Sequence, residues 1–365
     1  MSRKAARRYL LTDHKAKEKS ISGAIYYFCE PGAVQSARQN FEAARCVPGA
    51  VCLDFFRGDG ISLCIQTTGI KDMKKPIHFD SQGSKSAGWL FSPSGDGPFP
   101  LVIMAHGLAG VKEMRLAVFA ERFAKAGYAC LVFDYRHFGE SEGEPRQLLD
   151  IGKQHQDWLA AIEYGCRLPN IDSKKIVLWG TSLSGGHVLK IASMGQDVAA
   201  VIAQVPHLRG TTAIRTNSMS KVLLLIMHGL YDFLRGSFGL TPHYILASAK
   251  PDQLALLNAP GEQEGVMSLV PKGVTLDLRV AARFALFISF YSPGRAVRKL
   301  TMPVLIQVGL HDCTTPAQPA MGAGQDRPNL DIKTYEIGHF QAYFEPAFTT
   351  IVTDQLTFLK KNLGV

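Results

Sequence analysis

The segment Trp179-Gly180-Thr181-Ser182-Leu183-Ser184-Gly185-Gly186 limits what this chain can fold into more than any other. It follows a short apolar run, Ile176 to Trp179, and opens a stretch patterned as a helix. A serine between a buried strand and a helix sits on a sharp turn. Such a turn tolerates only small residues two positions before and after the serine, because a larger Cβ would collide across it. Gly180 meets that condition. Ser184 stands where the Gly-x-Ser-x-Gly pattern has its second glycine, so the strict pattern is broken by the next smallest polar residue. Gly185 and Gly186 let the helix pack close to its strand. A Gly-rich strand-to-helix turn can also cradle phosphate, but the Lys-Ser/Thr pair that this use requires does not follow.

The surrounding sequence alternates strands and helices. Ile77 and Phe79, then Trp89 and Phe91, flank Ser81-Gln82-Gly83-Ser84 and predict a hairpin. Pro98 and Pro100 introduce Leu101 to Met104, an all-apolar run expected of a strand buried on both faces. A helix follows with Leu116, Phe119, Ala120 and Phe123 on one face, stopping at Gly127. Next come a strand at Cys130 to Phe133, a helix near 148–167, the strand Ile176 to Trp179, a helix from about Ser184 and a strand at Ala199 to Val205. This order predicts a mostly parallel sheet with helices on both faces.

Between Pro206 and Leu300 the alternation lapses into apolar, Gly- and Pro-interrupted segments, among them Val222 to Phe233 and Val280 to Tyr291. It resumes with Val304 to Val308, Ile332 to Ile337 and an amphipathic helix around 346–363. Residues 207–300 are therefore expected to form a helical cap between two late strands, with 76–206 and 301–365 as the core. The apolar residues Leu223, Leu224, Leu225, Ile226, Met227, Phe233 and Phe238 predict a greasy pocket beneath that cap. Residues 1–75 form an N-terminal extension to which the sequence assigns no role; its apolar pieces are Ile25 to Phe28 and Val51 to Phe56.

A serine hydroxyl becomes nucleophilic when a base takes its proton and an acid orients the base. On a turn of this kind the chain order is Ser, acid, His. Asp312 lies just past the strand Val304 to Val308, and His339 follows the strand Ile332 to Ile337. Both occupy loops at the carboxyl edge of the sheet, where they would converge on Ser182. His106-Gly107-Leu108 ends the strand from Leu101. Its loop is expected to offer one backbone N–H to a developing oxyanion, that of Leu108, with Leu183 offering the other.

The other candidates have plainer readings. His106 is expected to hold its loop through a ring hydrogen bond, and His187 to pack beneath the sheet edge. His311 comes too early in the order to be the base. Asp134 ends a strand too early to be the triad acid and is expected to fasten its loop through Arg136. His228 and Asp232, one helical turn apart in the cap, are candidates to meet substrate; otherwise they are half-buried polar residues of a helix.

Composition excludes several classes. The longest aliphatic stretch, Val222 to Met227, cannot span a bilayer. Seven cysteines without CxxC or Cys/His ligand spacing read as reduced thiols in a cytoplasmic protein, with no metal site. The first nineteen residues hold seven Lys/Arg against two acids, a large part of the net charge of +9. They precede no apolar run, so no secretory signal is expected, and Asp13 and Glu18 count against a mitochondrial presequence. Without an aromatic-plus-basic motif this charge reads as a solvated tail and not as a nucleic-acid site. A homodimer is compatible with the sequence.

Taken together, these motifs resemble the α/β-hydrolase fold, near its dienelactone-hydrolase-like and acetylxylan-esterase-like branches. The resemblance covers about 76–363. It is carried by His106-Gly107, Asp134-Tyr135-Arg136 with Gly139 and Ser141, Gly180-Thr181-Ser182 with Gly185-Gly186-His187-Val188, Asp312, and Gly338-His339-Phe340. It implies hydrolysis of a small-molecule ester, thioester or lactone without cofactor, and some relatives look like tailoring enzymes of polyketide pathways. Dienelactone hydrolases carry cysteine where this chain has Ser182, so their substrate does not transfer. His137 stands where the group usually has glycine. Acyl transfer or C–C cleavage at the same three residues, and a non-catalytic receptor of the same fold, are the alternatives.

Overall fold

The computed structural model describes residues 73–212, 218–323 and 327–364, together with the backbone of four short strands before them. It divides into two compact units, residues 1–74 and 75–365. In the first, β1 (Lys17–Ile21), β2 (Ala24–Phe28), β3 (Phe55–Phe56) and β4 (Ser62–Gln66) form an antiparallel sheet in the order β1-β2-β4-β3. The basic residues 1–16 and the apolar piece 51–54 lie outside the described residues.

The second unit is built on eight strands: β5 (Lys74–Ser81), β6 (Ser84–Phe91), β7 (Phe99–Ala105), β8 (Ala129–Phe133), β9 (Ile171–Thr181), β10 (Ala200–Gln204), β14 (Val304–Gly309) and β15 (Leu330–Tyr335). Their spatial order is β15-β14-β10-β9-β7-β8-β6-β5. The five pairings from β15 to β8 are parallel, whereas β6 pairs antiparallel with β8. Between β5 and β6, Gln82 and Gly83 have φ of 54° and 79°. Two positive φ values define the tight hairpin turn that matches strand twist.

The inner strands are apolar over most of their buried length because helices cover both faces. Leu101, Val102, Ile103 and Met104 are all fully buried, as are Val177, Leu178 and Trp179. The covering helices are α1 (Leu116–Lys125), α2 (Ile151–Cys166), α3 (Leu183–Ala192) and, at the C-terminus, α8 (Ala347–Leu363). α1 buries Leu116, Phe119, Ala120 and Phe123, the spacing expected of one helical face. α2 is capped by Asp150, whose carboxylate accepts from the Lys153 N–H.

The segment from 207 to 300 fills the crossover between the neighbouring parallel strands β10 and β14. It holds helices α4 (Met219–Ser237), α5 (Glu262–Ser268) and α6 (Phe284–Ile288), of which α4 and α6 overlap its two apolar runs. It also holds a three-stranded sheet of β11 (Tyr244–Ser248), β12 (Ala255–Leu257) and β13 (Arg279–Ala281), ordered β12-β11-β13, which the sequence reading lacks. A last short helix, α7 (Gln318–Met321), follows β14. None of the helices among the described residues is long and apolar enough to cross a membrane.

Candidate active site

All four strands that precede a candidate residue run parallel, so their following loops gather at one edge of the sheet. Ser182 follows β9 directly, with φ 56° and ψ −120°. A non-glycine residue in this region is strained and persists only where its surroundings hold it. Here the Ser182 N–H donates to the Gln204 carbonyl (3.0 Å), and its own carbonyl accepts from His207 N–H (2.8 Å). The neighbouring backbone comes so close that a Cβ on Gly180 would lie 2.2 Å from the Ser184 carbonyl oxygen. A Cβ on Gly107 would lie 2.9 Å from that of Ser182.

His339 Nε2 lies 3.1 Å from Ser182 Oγ, and His339 Nδ1 lies 2.7 Å from Asp312 Oδ2. Asp312 Oδ1 accepts from the backbone N–H groups of Thr314 (2.8 Å) and Thr315 (2.7 Å). Thr315 Oγ1 is 2.8 Å from Asp312 Oδ2 and 2.9 Å from the Val205 carbonyl. Burial opposes ionisation of Asp312, yet the charge and ring hydrogen bond of His339, with the Thr315 donors, outweigh it and hold the carboxyl below the usual range. The three residues thus form a hydrogen-bonded Asp–His–Ser chain with its acid ionised.

Leu108 and Leu183 both line the cavity at Ser182. Among the described residues neither backbone N–H is spent on a protein acceptor. An anion beside Ser182 therefore has two candidate donors. The arrangement can activate a hydroxyl, hold a developing negative charge and return a proton to a departing group.

The remaining candidates stand outside this hydrogen-bonded chain. His311 is exposed and pairs with Glu336 at 2.9 Å. The His106 ring contacts the Gly107 carbonyl at 3.0 Å, and burial holds it at about 4. His187 is fully buried between Gln154, His155 and Tyr291. Asp134 is fastened by Lys112, through its ammonium and its N–H, both at 2.7 Å, and not by Arg136. Arg136 instead donates to Asp157. His137 takes the positive φ, 72°, that a glycine would supply at that position.

His228 and Asp232, expected as substrate contacts, do not line the cavity. Asp232 is fully buried and accepts from Arg283 Nε (2.7 Å), Arg283 Nη2 (3.1 Å) and the N–H groups of Arg283 (2.9 Å) and His243 (2.7 Å). His228 Nδ1 lies 2.7 Å from His243 Nε2. Of the seven apolar residues expected to face the pocket, Leu225 and Ile226 do, joined by Val222 one turn earlier. Leu223, Leu224, Met227 and Phe233 are turned to solvent, since helical spacing carries one face inward and the others out, and Phe238, just past the end of α4, is exposed as well.

Two residues of the site are missing from the sequence reading. Thr315 braces Asp312, and its signal is an aspartate followed two and three residues on by threonine, which is turn chemistry. Tyr343, hydrogen-bonded to Thr181 beside the serine, comes from a distant loop and leaves no local signal.

The sequence profile of the α/β hydrolase fold family matches residues 100–346, and this chain belongs to that family. Within it the chain is similar to the quorum-quenching protein AidA of Acinetobacter baumannii (strain MDR-ZJ06). The two are 42% identical over 289 residues, which cover 79% of this chain and 95% of AidA. It is also 39% identical over 129 residues to thiohydrolase aneE of Aspergillus aculeatus, covering 35% of this chain and 40% of that protein. The crystal structure of the α/β hydrolase GrgF from Penicillium sp. sh18 superposes with a TM-score of 0.70, covering 80% of this chain and 99% of that one at 23% identity.

Proposed function

We propose that this protein is a serine hydrolase that cleaves an ester, thioester or lactone of a small apolar acid through an acyl-enzyme. The observation that carries this reading is the chain Asp312 Oδ2–His339 Nδ1 (2.7 Å) and His339 Nε2–Ser182 Oγ (3.1 Å), beside two uncommitted backbone N–H groups. Ser182 Oγ attacks the acyl carbonyl carbon as His339 Nε2 takes its proton. The N–H groups of Leu108 and Leu183 hold the oxyanion, and Asp312 keeps the imidazole in the required tautomer. His339 then protonates the departing oxygen or sulfur, and water, deprotonated by the same ring, releases the acid. The segment 207–300 acts as a cap that supplies the acyl-side wall through Val222, Leu225 and Ile226.

The relatives named quorum-quenching protein and thiohydrolase support a small-molecule substrate. The cysteine pattern supports a cytoplasmic setting. The test is fluorophosphonate labelling located by mass spectrometry, together with turnover of nitrophenyl esters by Ser182→Ala. The label is expected on Ser182, and the variant is expected to lose about 10⁶ in kcat while remaining folded. Labelling of another residue, or retained turnover, removes the assignment.

A further inference from the structure

Ser182 stands where two cavities meet. Both are open to solvent: one spans about 1040 Å³ and the other about 610 Å³ counted out through their mouths, and Leu108, Ser182 and Leu257 line both. Their other walls differ. Leu183, Leu225, Phe284 and Ile288 face the larger, whereas Val266, Leu269, Leu276, Leu278 and Phe340 face the smaller. His339 lines only the smaller.

That asymmetry bears on the direction in which a substrate lies. The atom that leaves the tetrahedral intermediate must take its proton from His339 Nε2, within hydrogen-bond reach of it. The leaving oxygen or sulfur therefore departs toward the cavity that the imidazole lines, and the acyl chain is left in the other. Resting on the Ser-His-Asp reading above, we propose that the 1040 Å³ cavity takes the acyl group and the 610 Å³ cavity takes the leaving group.

The lining of the second cavity then identifies the leaving group's chemistry. It is aliphatic and aromatic with a few neutral polar groups, and among the described residues it carries no Lys or Arg. A phosphate-bearing carrier arm would find no cation there to match its charge. The matching group is an uncharged alcohol or thiol with a hydrocarbon body. The substrate class is thus an ester or thioester with apolar limbs on both sides of the scissile bond. The step balances without a co-reactant other than water: the C–O or C–S bond breaks, the leaving atom takes the proton that Ser182 gave to His339, and water restores the serine.

Four esters test the assignment: ethyl and hexyl butanoate, and ethyl and hexyl octanoate, with acid release measured for the wild type, Leu278→Trp and Leu225→Trp. The wild type is expected to prefer hexyl over ethyl in kcat/KM by tenfold or more at either acyl length. Leu278→Trp is expected to collapse that hexyl-to-ethyl ratio, and Leu225→Trp to collapse the octanoate-to-butanoate ratio. A flat hexyl-to-ethyl ratio in the wild type overturns the proposal, whether or not the variants fold. So does Leu278→Trp acting on the acyl ratio instead, which would exchange the two cavities. Fluorophosphonate labelling separates the two levels: a label on Ser182 without ester turnover, or with a flat ratio, sinks the cavity assignment alone. No label on Ser182 sinks the serine-hydrolase reading beneath it.

Discussion

Ser184 donates its hydroxyl to the main-chain carbonyl of His106 at 2.6 Å. It is the middle of a buried relay in which Trp158 Nε1–H donates to Tyr135 Oη (2.8 Å), Tyr135 Oη donates to Ser184 Oγ, and Ser184 Oγ donates onward. Each hydroxyl gives one proton and receives one, so the relay is fully satisfied. The residue that breaks the Gly-x-Ser-x-Gly pattern is therefore the one that ties α3 to the loop bearing Leu108.

Ser184→Ala should consequently cost more than its small change in volume. It leaves a buried carbonyl and a buried Tyr135 hydroxyl without their partner, a loss of about 1–3 kcal/mol. Ser184→Gly should cost at least as much, although it restores the pattern's glycine. Urea unfolding of the three proteins measures this directly. Midpoints within error of the wild type would mean that the relay contributes nothing to stability.

Asp312→Asn should fold and yet lose roughly 10⁴ in kcat. The Thr314 and Thr315 N–H groups both donate to Oδ1, so the asparagine oxygen is held at that position and its NH₂ is turned toward His339 Nδ1. Nδ1 must then accept, Nε2 carries the proton, and the ring cannot take one from Ser182. Steady-state turnover and circular dichroism of the purified variant test both halves of the expectation. Retained turnover would remove Asp312 from the mechanism.

Acid should destabilise this protein well above the carboxylate range. Burial holds the rings of His106, His137, His155 and His207 at about 4, below their ordinary value of 6.5. The unfolded chain therefore binds more protons than the folded one between about pH 4 and 6.5, and stability rises with pH across that window. The contribution is fully present above 6.5 and is lost progressively as pH falls toward 4. Urea midpoints at pH 5 should lie clearly below those at pH 7.5. Equal midpoints would mean that these rings are charged in the folded state.

The core was legible in the sequence because each of its elements carries a local signal. Leu101 to Met104 is a short all-apolar run between prolines and a glycine, the pattern of a doubly covered strand, and Leu116, Phe119 and Phe123 repeat at helical spacing. Ser182, Asp312 and His339 could be picked out because each follows a strand of the parallel sheet, buried for the first two and at the sheet edge for the third, and parallel strands bring their loops to one edge. The inserted segment was less legible for a physical reason. β12 and β13 are three residues each, too short to show alternation, and they form only because β11 lies between them. The side of α4 that faces inward depends on what lies under it, so seven apolar residues suggested a pocket wall and two supply it. Partner choice was equally opaque: Asp134 takes Lys112 and Arg136 takes Asp157, selections made by the fold and not by proximity in the chain.

Asp232 gives the last test, because a substrate contact and a buried anchor respond differently to the same change. Its two oxygens accept four hydrogen bonds, three from Arg283 and one from His243, tying α4 to the chain around β13 and α6. Burial disfavours its charge, but the Arg283 guanidinium and the two N–H donors more than offset this and hold the carboxyl below its usual range. Removing one partner of a buried ion pair costs about 3–5 kcal/mol when the survivor is sealed from water. Arg283 is 20% exposed and can rehydrate in part, so Asp232→Ala should lose somewhat less, roughly 2–3 kcal/mol. Asp232→Asn keeps an acceptor oxygen and the shape of the site, and should lose less again. Because the side chain does not line either cavity, Asp232→Asn should also keep its KM for nitrophenyl butanoate within about twofold, whereas loss of a charge-assisted bond to substrate would raise KM by roughly tenfold or more. Thermal unfolding and steady-state kinetics on the two variants decide between these: a large rise in KM for Asp232→Asn without loss of stability would return Asp232 to the substrate site.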